Sequence, residues 1–416
     1  NPEKESVEYV DALRAGLQWL GISWASESYT SDSIPEIYEC AEKAIAKGAA
    51  YVCTCPQKEI SANRESGKPC ACRGLPIEEA MAHWKKMHSV YKPGEAIVRF
   101  KGDLSALNTV MRDPSLFRIM EAPHYRQEKK YRVWPTYDFA APIMDSREGI
   151  THAMRTKEYE LRDELYFKLI DVLELRKPEL VEFSRLSIKN APISKRLLTP
   201  LVKEGKVMGW DDPRLPTLKG LARRGILPEA IKIFVLSFGL SKVESEPGWE
   251  KLLSENRKLL EPSSRHFFFV PNPVQIRIKG APEKKIELKC HPSKDLGARI
   301  VSVADSVFIP MADFDKISEG ETFRLKDLYN VKMASKEGRI VEFAGDGMVE
   351  KKVQWVPDSG RMEVEMLIPR DLLNDDGSYN ENSLEKISGC AESAVESIKD
   401  GEMVQFERFG FCRMDK

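Results

Sequence analysis

The patterning of this chain changes character at Pro262, and that change limits what it can fold into. Before Pro262, apolar positions recur mostly with a helical period, interrupted by short β-rich runs. Beyond it, short β-rich runs stand between Gly, Pro and Asp, as in His266 to Val270, Val274 to Ile278, Ile286 to Lys289 and Val307 to Pro310. Val353 to Trp355, Met362 to Ile368 and Met403 to Phe411 continue that series. At 416 residues the chain exceeds what one core supports. The expectation is a multidomain protein, α/β first and β afterwards, with the last part closing into one or two barrels.

Within the first part, Val10, Leu13, Leu17 and Leu20 give residues 3–20 an amphipathic helical stripe. Ile34, Ile37, Tyr38, Ala41 and Ile45 repeat it, with Gly48 as a C-terminal cap. A polar helix is expected around 77–90, strands near 95–100 and 131–139, a helix over 157–175 and a strand over 181–188. This alternation predicts a parallel sheet interrupted by an insertion. Residues 196–262 are mostly helical in pattern.

Composition narrows the setting. No apolar run approaches the roughly 18 residues of a membrane span, and no signal peptide opens the chain, so a cytoplasmic location is expected. Lys+Arg 64 against Asp+Glu 65 leaves a net charge of −1, which excludes a globally cationic nucleic-acid binder. Any RNA contact must come from local patches such as Lys219, Arg223 and Arg224.

Cys53-x-Cys55 and Cys70-x-Cys72, fourteen residues apart, hold four of the eight cysteines. Four thiolates on a short hairpin suit a tetrahedral, structural Zn²⁺ in a segment with little core of its own. Four reduced cysteines without metal are the alternative.

Two strings carry chemistry. Residues 134–159, WPTYDFAAPIMDSREGITHAMRTKEY, place an aromatic–acid pair, a histidine and a lone arginine within one predicted strand, turn and helix start. Ile193-Ser194-Lys195-Arg196 follows on a loop, where a mobile cation can stabilise phosphate charge. Together they resemble the catalytic core of the class I glutamyl- and glutaminyl-tRNA synthetases, the second string being similar to the family's KMSKS-type loop. GWDDPRLPTLKGLARRG, residues 209–225, is similar to the family's segment that contacts the tRNA stem.

The resemblance covers essentially the whole chain and implies a Rossmann-type catalytic core with an insertion, a helical stem-contact region and C-terminal β-barrels. The implied boundaries are 1–50 for the rest of the first Rossmann half and 51–130 for the cysteine-bearing acceptor-end insertion. The second Rossmann half would take 131–195, the stem-contact domain 196–262 and the anticodon-binding barrels 263–416. It also implies ATP and Mg²⁺, with Lys195 and Ser194 acting in catalysis and Arg185, Leu186, Ser194 and Lys195 lining the ATP site. Tyr137, Asp138 and Arg155 would bind the amino acid, and Arg214, Lys219, Arg223 and Arg224 would face tRNA phosphates. Glutamyl members carry an arginine at the position of Arg155, and a guanidinium fork matches a carboxylate bidentately. Glutaminyl members carry a cysteine there and a histidine at the position of Ala141. The implied activity is attachment of glutamate to tRNA(Glu) through glutamyl-adenylate, with tRNA(Gln) left open as a second acceptor.

A glutaminyl enzyme, or a catalytically silent tRNA-binding scaffold, is the competing reading. His152 sits in the family's Thr-His pair, yet its residue type suits an ordinary structural histidine. Leu161 stands where relatives carry an aspartate facing the acceptor stem. The opening NPEKE is similar to a family segment that follows the HIGH motif, so that motif is expected upstream of Asn1. The residues from Asn1 alone are not expected to aminoacylate. β-Barrels after residue 262, joined to the cysteine pairs, are similar to the archaeal and eukaryotic branch.

Overall fold

The computed structural model describes residues 2–415, so Asn1 of the NPEKE opening lies outside the described residues. The chain forms two compact units, one running to Arg185 and including Leu240–Ser245, the other holding Leu186–Gly239 and everything from Glu246 onward.

In the first unit, α1 (Val7–Trp19) and α2 (Ile34–Ala46) form where the periodicity places them. Ile34, Ile37, Ala41 and Ile45 of α2 are buried, and Gly48 closes the helix with φ +67, a left-handed angle that only glycine adopts without strain. The stripe on α1 behaves differently. None of its residues is buried, and Val7, Tyr9, Leu13 and Leu17 all face outward among the described residues.

β1 (Ala50–Cys53), β2 (Ile97–Phe100), β3 (Ser115–Ile119) and β4 (Val133–Pro135) make a four-stranded sheet in chain order, antiparallel throughout. α3 (Gln57–Ser66) and α4 (Ile77–Met87) lie between β1 and β2. The expected parallel sheet is therefore confined, in this unit, to β5 (His152–Thr156) and β6 (Glu179–Phe183). Helix–strand alternation reports the spacing of elements and not their direction, so it could not separate the two cases.

The strand expected over 131–139 stops at Pro135. Thr136 is extended, and α5 (Tyr137–Arg147) starts at once, with Asp138 in its first turn and the Ala140–Ala141 pair behind it. Residues 157–162 form a 3₁₀ turn leading into α6 (Asp163–Leu173). Trp84, Phe117 and Phe139 fill the core between the helices and the antiparallel sheet.

The second unit opens with α7 (Lys195–Lys203), α8 (Leu218–Arg223), α9 (Pro228–Leu236) and α10 (Trp249–Leu260), as the pattern predicts. From Arg265 it is β-rich. Its seven-stranded sheet has Lys352–Val353 at one edge and Val356–Pro357 at the other. Those edges are consecutive pieces of one segment, so the sheet curls back on itself, around a core that includes Trp355, Phe323 and Tyr329. Met362–Pro369, Leu384–Ala391 and Phe269–Pro271 make a second, three-stranded sheet, and Gly410–Arg413, Met403–Phe406 and Arg265–Phe267 a third.

Candidate functional site

α5 and β5 bring several of the sequence-predicted residues together. Arg155, on β5, donates from Nη2 to Asp145 Oδ2 at 2.5 Å, and the Tyr166 hydroxyl donates to the same oxygen at 3.0 Å. The guanidinium lies 4.4 Å from the Tyr166 ring centroid and 5.6 Å from that of Tyr137. Its side chain is 10% exposed, and the cation lies between two aromatic faces, held at one corner by a carboxylate. Burial raises the Tyr137 and Tyr166 hydroxyls above their ordinary range, the second helped by Asp145, and both remain neutral donors.

The sequence reading missed Asp145 and Tyr166. Asp145 stands seven residues after Asp138, two helical turns on, which is a signal that both acids share one face of α5. Asp138 itself is spoken for. Its carboxylate pairs with Arg162, and Oδ1 is buried without a partner. Pro142 also removes the N–H that would bond the Asp138 carbonyl within the helix.

Tyr137 is 49% exposed and packs at 5.1 Å on Tyr159. His152 is exposed, 3.1 Å from the Thr151 hydroxyl and 3.4 Å from Glu179, in keeping with an ordinary surface histidine. Leu161 is 62% exposed. Arg185 is exposed and pairs with Glu158 at 3.5 Å.

Below Arg155, burial and the neighbouring Glu182 carboxyl raise Asp163 from 3.8 to about 6. Lys242 pairs with Glu182 and with Glu160. A cavity of about 610 Å³ lies there, lined by Asp163, Lys177, Glu182 and Lys242 and by none of the predicted site residues.

In the second unit, Ser194 is the N-cap of α7 and Lys195 its first helical residue. Leu197 and Leu198 both donate to the Ser194 carbonyl at 3.0 Å. An exposed lysine at a helix N-terminus puts a cation beside the first backbone N–H groups of the helix, a combination that suits phosphate. The approach to it is pinned. Asn190 turns the chain at φ +58, its carbonyl accepts from Leu373 N at 3.2 Å, and its amide donates to Asp375 at 3.2 Å. Leu186 packs half-buried against the helical core of this unit.

The four basic residues predicted to face RNA divide sharply. Arg214 is 5% exposed and spends every N–H inside the fold: on Asp212, the Tyr379 and Ser383 hydroxyls and the Lys206 carbonyl. Its expected outward orientation is thus corrected; Asp212, 0% exposed, needs the charge more than solvent does. Arg224 lies 4.2 Å from the Trp249 ring, and burial pushes it down to about 10. Arg223 pairs with Asp415 at 2.7 Å and Asp211 at 3.4 Å. Lys219 is exposed.

The cysteines converge as expected. The Sγ atoms of Cys53, Cys55, Cys70 and Cys72 all lie within 4.8 Å of one another, with Cys53–Cys70 and Cys55–Cys72 at 3.8 Å. A tetrahedron with metal–sulfur bonds of about 2.3 Å has edges of about 3.8 Å, so the cluster fits Zn²⁺ and is far from disulfide length. Burial pushes the Cys53 thiol up to about 11.

Comparison with known proteins extends this picture. Residues 1–262 match the family model of the catalytic domain of class I tRNA synthetases (E and Q), and 263–346 and 352–415 match the two anticodon-binding models of the same group. The "Glutamate--tRNA ligase" of Nitrosopumilus maritimus is 45% identical over all of this chain and 73% of its own length. That of Pyrococcus abyssi is 37% identical over 98% of this chain and 71% of its own, and the cytoplasmic one of Arabidopsis thaliana 36% over all of this chain and 62% of its own. A crystal structure of a glutamate tRNA ligase from Elizabethkingia meningosepticum matches 64% of this chain and 62% of that one, at 21% identity and TM-score 0.44. With family models matching from residue 1 to 415 and relatives across archaea and eukaryotes, the chain belongs to the class I (E and Q) tRNA synthetases, on the branch those organisms share.

Proposed function

We propose that this protein attaches glutamate to tRNA(Glu), activating it first with ATP as glutamyl-adenylate. The observation that carries the amino-acid choice is Arg155, a guanidinium held by Asp145 between two aromatic rings. Its remaining donors suit the side-chain carboxylate of glutamate. Glutamine would offer the guanidinium only a neutral amide where glutamate offers a carboxylate. Class I membership implies ATP as a reactant and Mg²⁺ as the ion that accompanies it. In this reading Lys195, with Ser194 setting the start of α7, stabilises the phosphates as the α-phosphate is attacked, while Tyr137 closes one face of the amino-acid slot.

Cys53, Cys55, Cys70 and Cys72 would hold a structural Zn²⁺, whose closed thiolate shell ties the knuckle together without an open position for chemistry. The barrels after residue 263 would receive the anticodon. On the RNA-facing side only Lys219, of the four residues first considered, keeps an outward charge, and it would act as a phosphate contact. No described helix is long and apolar enough to cross a membrane.

The test is a charging assay on the full-length protein with ATP, tRNA and either amino acid, read by mass of the ester released from the RNA. Glutamyl ester with stoichiometric AMP is expected. Glutaminyl ester would transfer the chain to the other half of its group, and RNA binding without ester would favour the scaffold reading.

A further inference from the structure

Behind the four cysteines lies a group of arginines with too few acids to balance them. Asp113 is the hub. It is 1% exposed and held at φ +46, and it accepts from Gly102 N at 2.8 Å, the Tyr51 hydroxyl at 2.8 Å and Arg73 Nε at 2.9 Å. Arg99, 2% exposed, donates to the Asp113 backbone carbonyl at 2.9 Å and points Nη1 at Cys70 Sγ from 4.0 Å. Arg64 spends its donors on the carbonyls of Arg112 and Thr109, each at 3.0 Å. Among the described residues neither Arg64 nor Arg99 has a carboxylate within ion-pair distance. Burial and the nearby Arg99 and Arg112 charges depress Arg64, the mark of crowded like charge.

A buried guanidinium is costly unless something answers it. Asp113 pairs with Arg73, which leaves the buried Arg99 and the half-buried Arg64 without a carboxylate of their own. Glu59, beside Cys55, and Asp103, near Arg112, are exposed and screened. Four thiolates around a divalent cation carry two negative charges, the sign and size required, on the side Arg99 faces.

Resting on the metal reading above, we infer that Arg99, backed by Arg64 and Arg73, is the fixed counter-charge of a tetrathiolate centre and sets its affinity for a divalent cation. Asp113 positions this group: Gly102 comes so close that a Cβ there would lie 1.8 Å from the Met111 carbonyl, which locks the turn that presents the Asp113 side chain.

The experiment titrates zinc on the full chain against a chromophoric chelator, with metal content measured directly. Wild type should hold one zinc, Arg99→Met should bind it about 10- to 100-fold more weakly, and Arg99→Lys should recover part of the loss. Repeating Arg99→Met in a Cys55→His background removes one thiolate charge. A counter-charge role predicts a several-fold smaller penalty there, whereas a purely structural role predicts the same penalty. Equal penalties, or wild-type affinity in Arg99→Met, would overturn the inference and leave the zinc site standing. Should Arg99→Met not fold, Arg64→Gln, which touches no cysteine, decides: a few-fold loss is expected and none would overturn it. Wild type without zinc would remove the metal reading and this inference together.

Discussion

Arg155 and Arg214 are each joined to an aspartate, yet the two side chains are surrounded differently. Arg214 is saturated: five N–H groups meet a carboxylate, two hydroxyls and a carbonyl, and its side chain is 6% exposed. Nothing is left for a ligand to bind. Arg155 meets Asp145 through one nitrogen and lies between the Tyr137 and Tyr166 rings, with fewer polar partners than Arg214. The contrast is why Arg155 is proposed as a ligand-reading arginine and Arg214 as a structural one: the second has its donors used up.

The largest effect expected from breaking this contrast is on stability. Arg214→Met leaves Asp212 buried and unpaired, which should cost about 3–5 kcal/mol of folding stability while the glutamate KM of the remaining folded enzyme is unchanged. Denaturant titration beside steady-state charging reads both, and a large KM change with normal stability would reverse the roles assigned here. Next, Asp145→Ala removes the brace on Arg155. Lost orientation should raise the glutamate KM about tenfold. A fall in KM would instead mean that Asp145 competes with the substrate for the same guanidinium.

The smallest effect concerns the acid pair beneath the slot. Asp163 is raised to about 6 from 3.8, so its contribution to stability is fully present below about 3.8 and is lost as pH rises through about 6. Asp163→Asn should flatten stability across that window and add about 1 kcal/mol at neutral pH, allowing for partial solvent screening. An unchanged slope in pH-dependent unfolding would show that Asp163 and Glu182 are not in contact in solution.

How much of this was legible in the sequence depends on the range of the forces involved. The cysteine cluster was readable because its spacing is local and thiolates have few other uses in such a pattern. α2 was readable through a stripe with a glycine cap. Arg214 was not. Its fate is set by Tyr379 and Ser383, far along the chain, and a basic residue between two prolines looks the same whether its partner is a phosphate or a buried acid. Direction was equally hidden in the antiparallel sheet, where short strands and intervening helices give the same pattern as a parallel one. The outward stripe on α1 marks the same limit: periodicity finds the helix but not what it packs against.

The most direct test of the account is the ratio of kcat/KM for glutamate over glutamine, measured in wild type and in Arg155→Cys. The account predicts a clear wild-type preference for glutamate, because a carboxylate answers the guanidinium fork better than an amide does, collapsing in the variant through loss of glutamate use. Glutamate kinetics in Arg155→Cys that match wild type would contradict the assignment of this guanidinium as the reader of the substrate carboxylate.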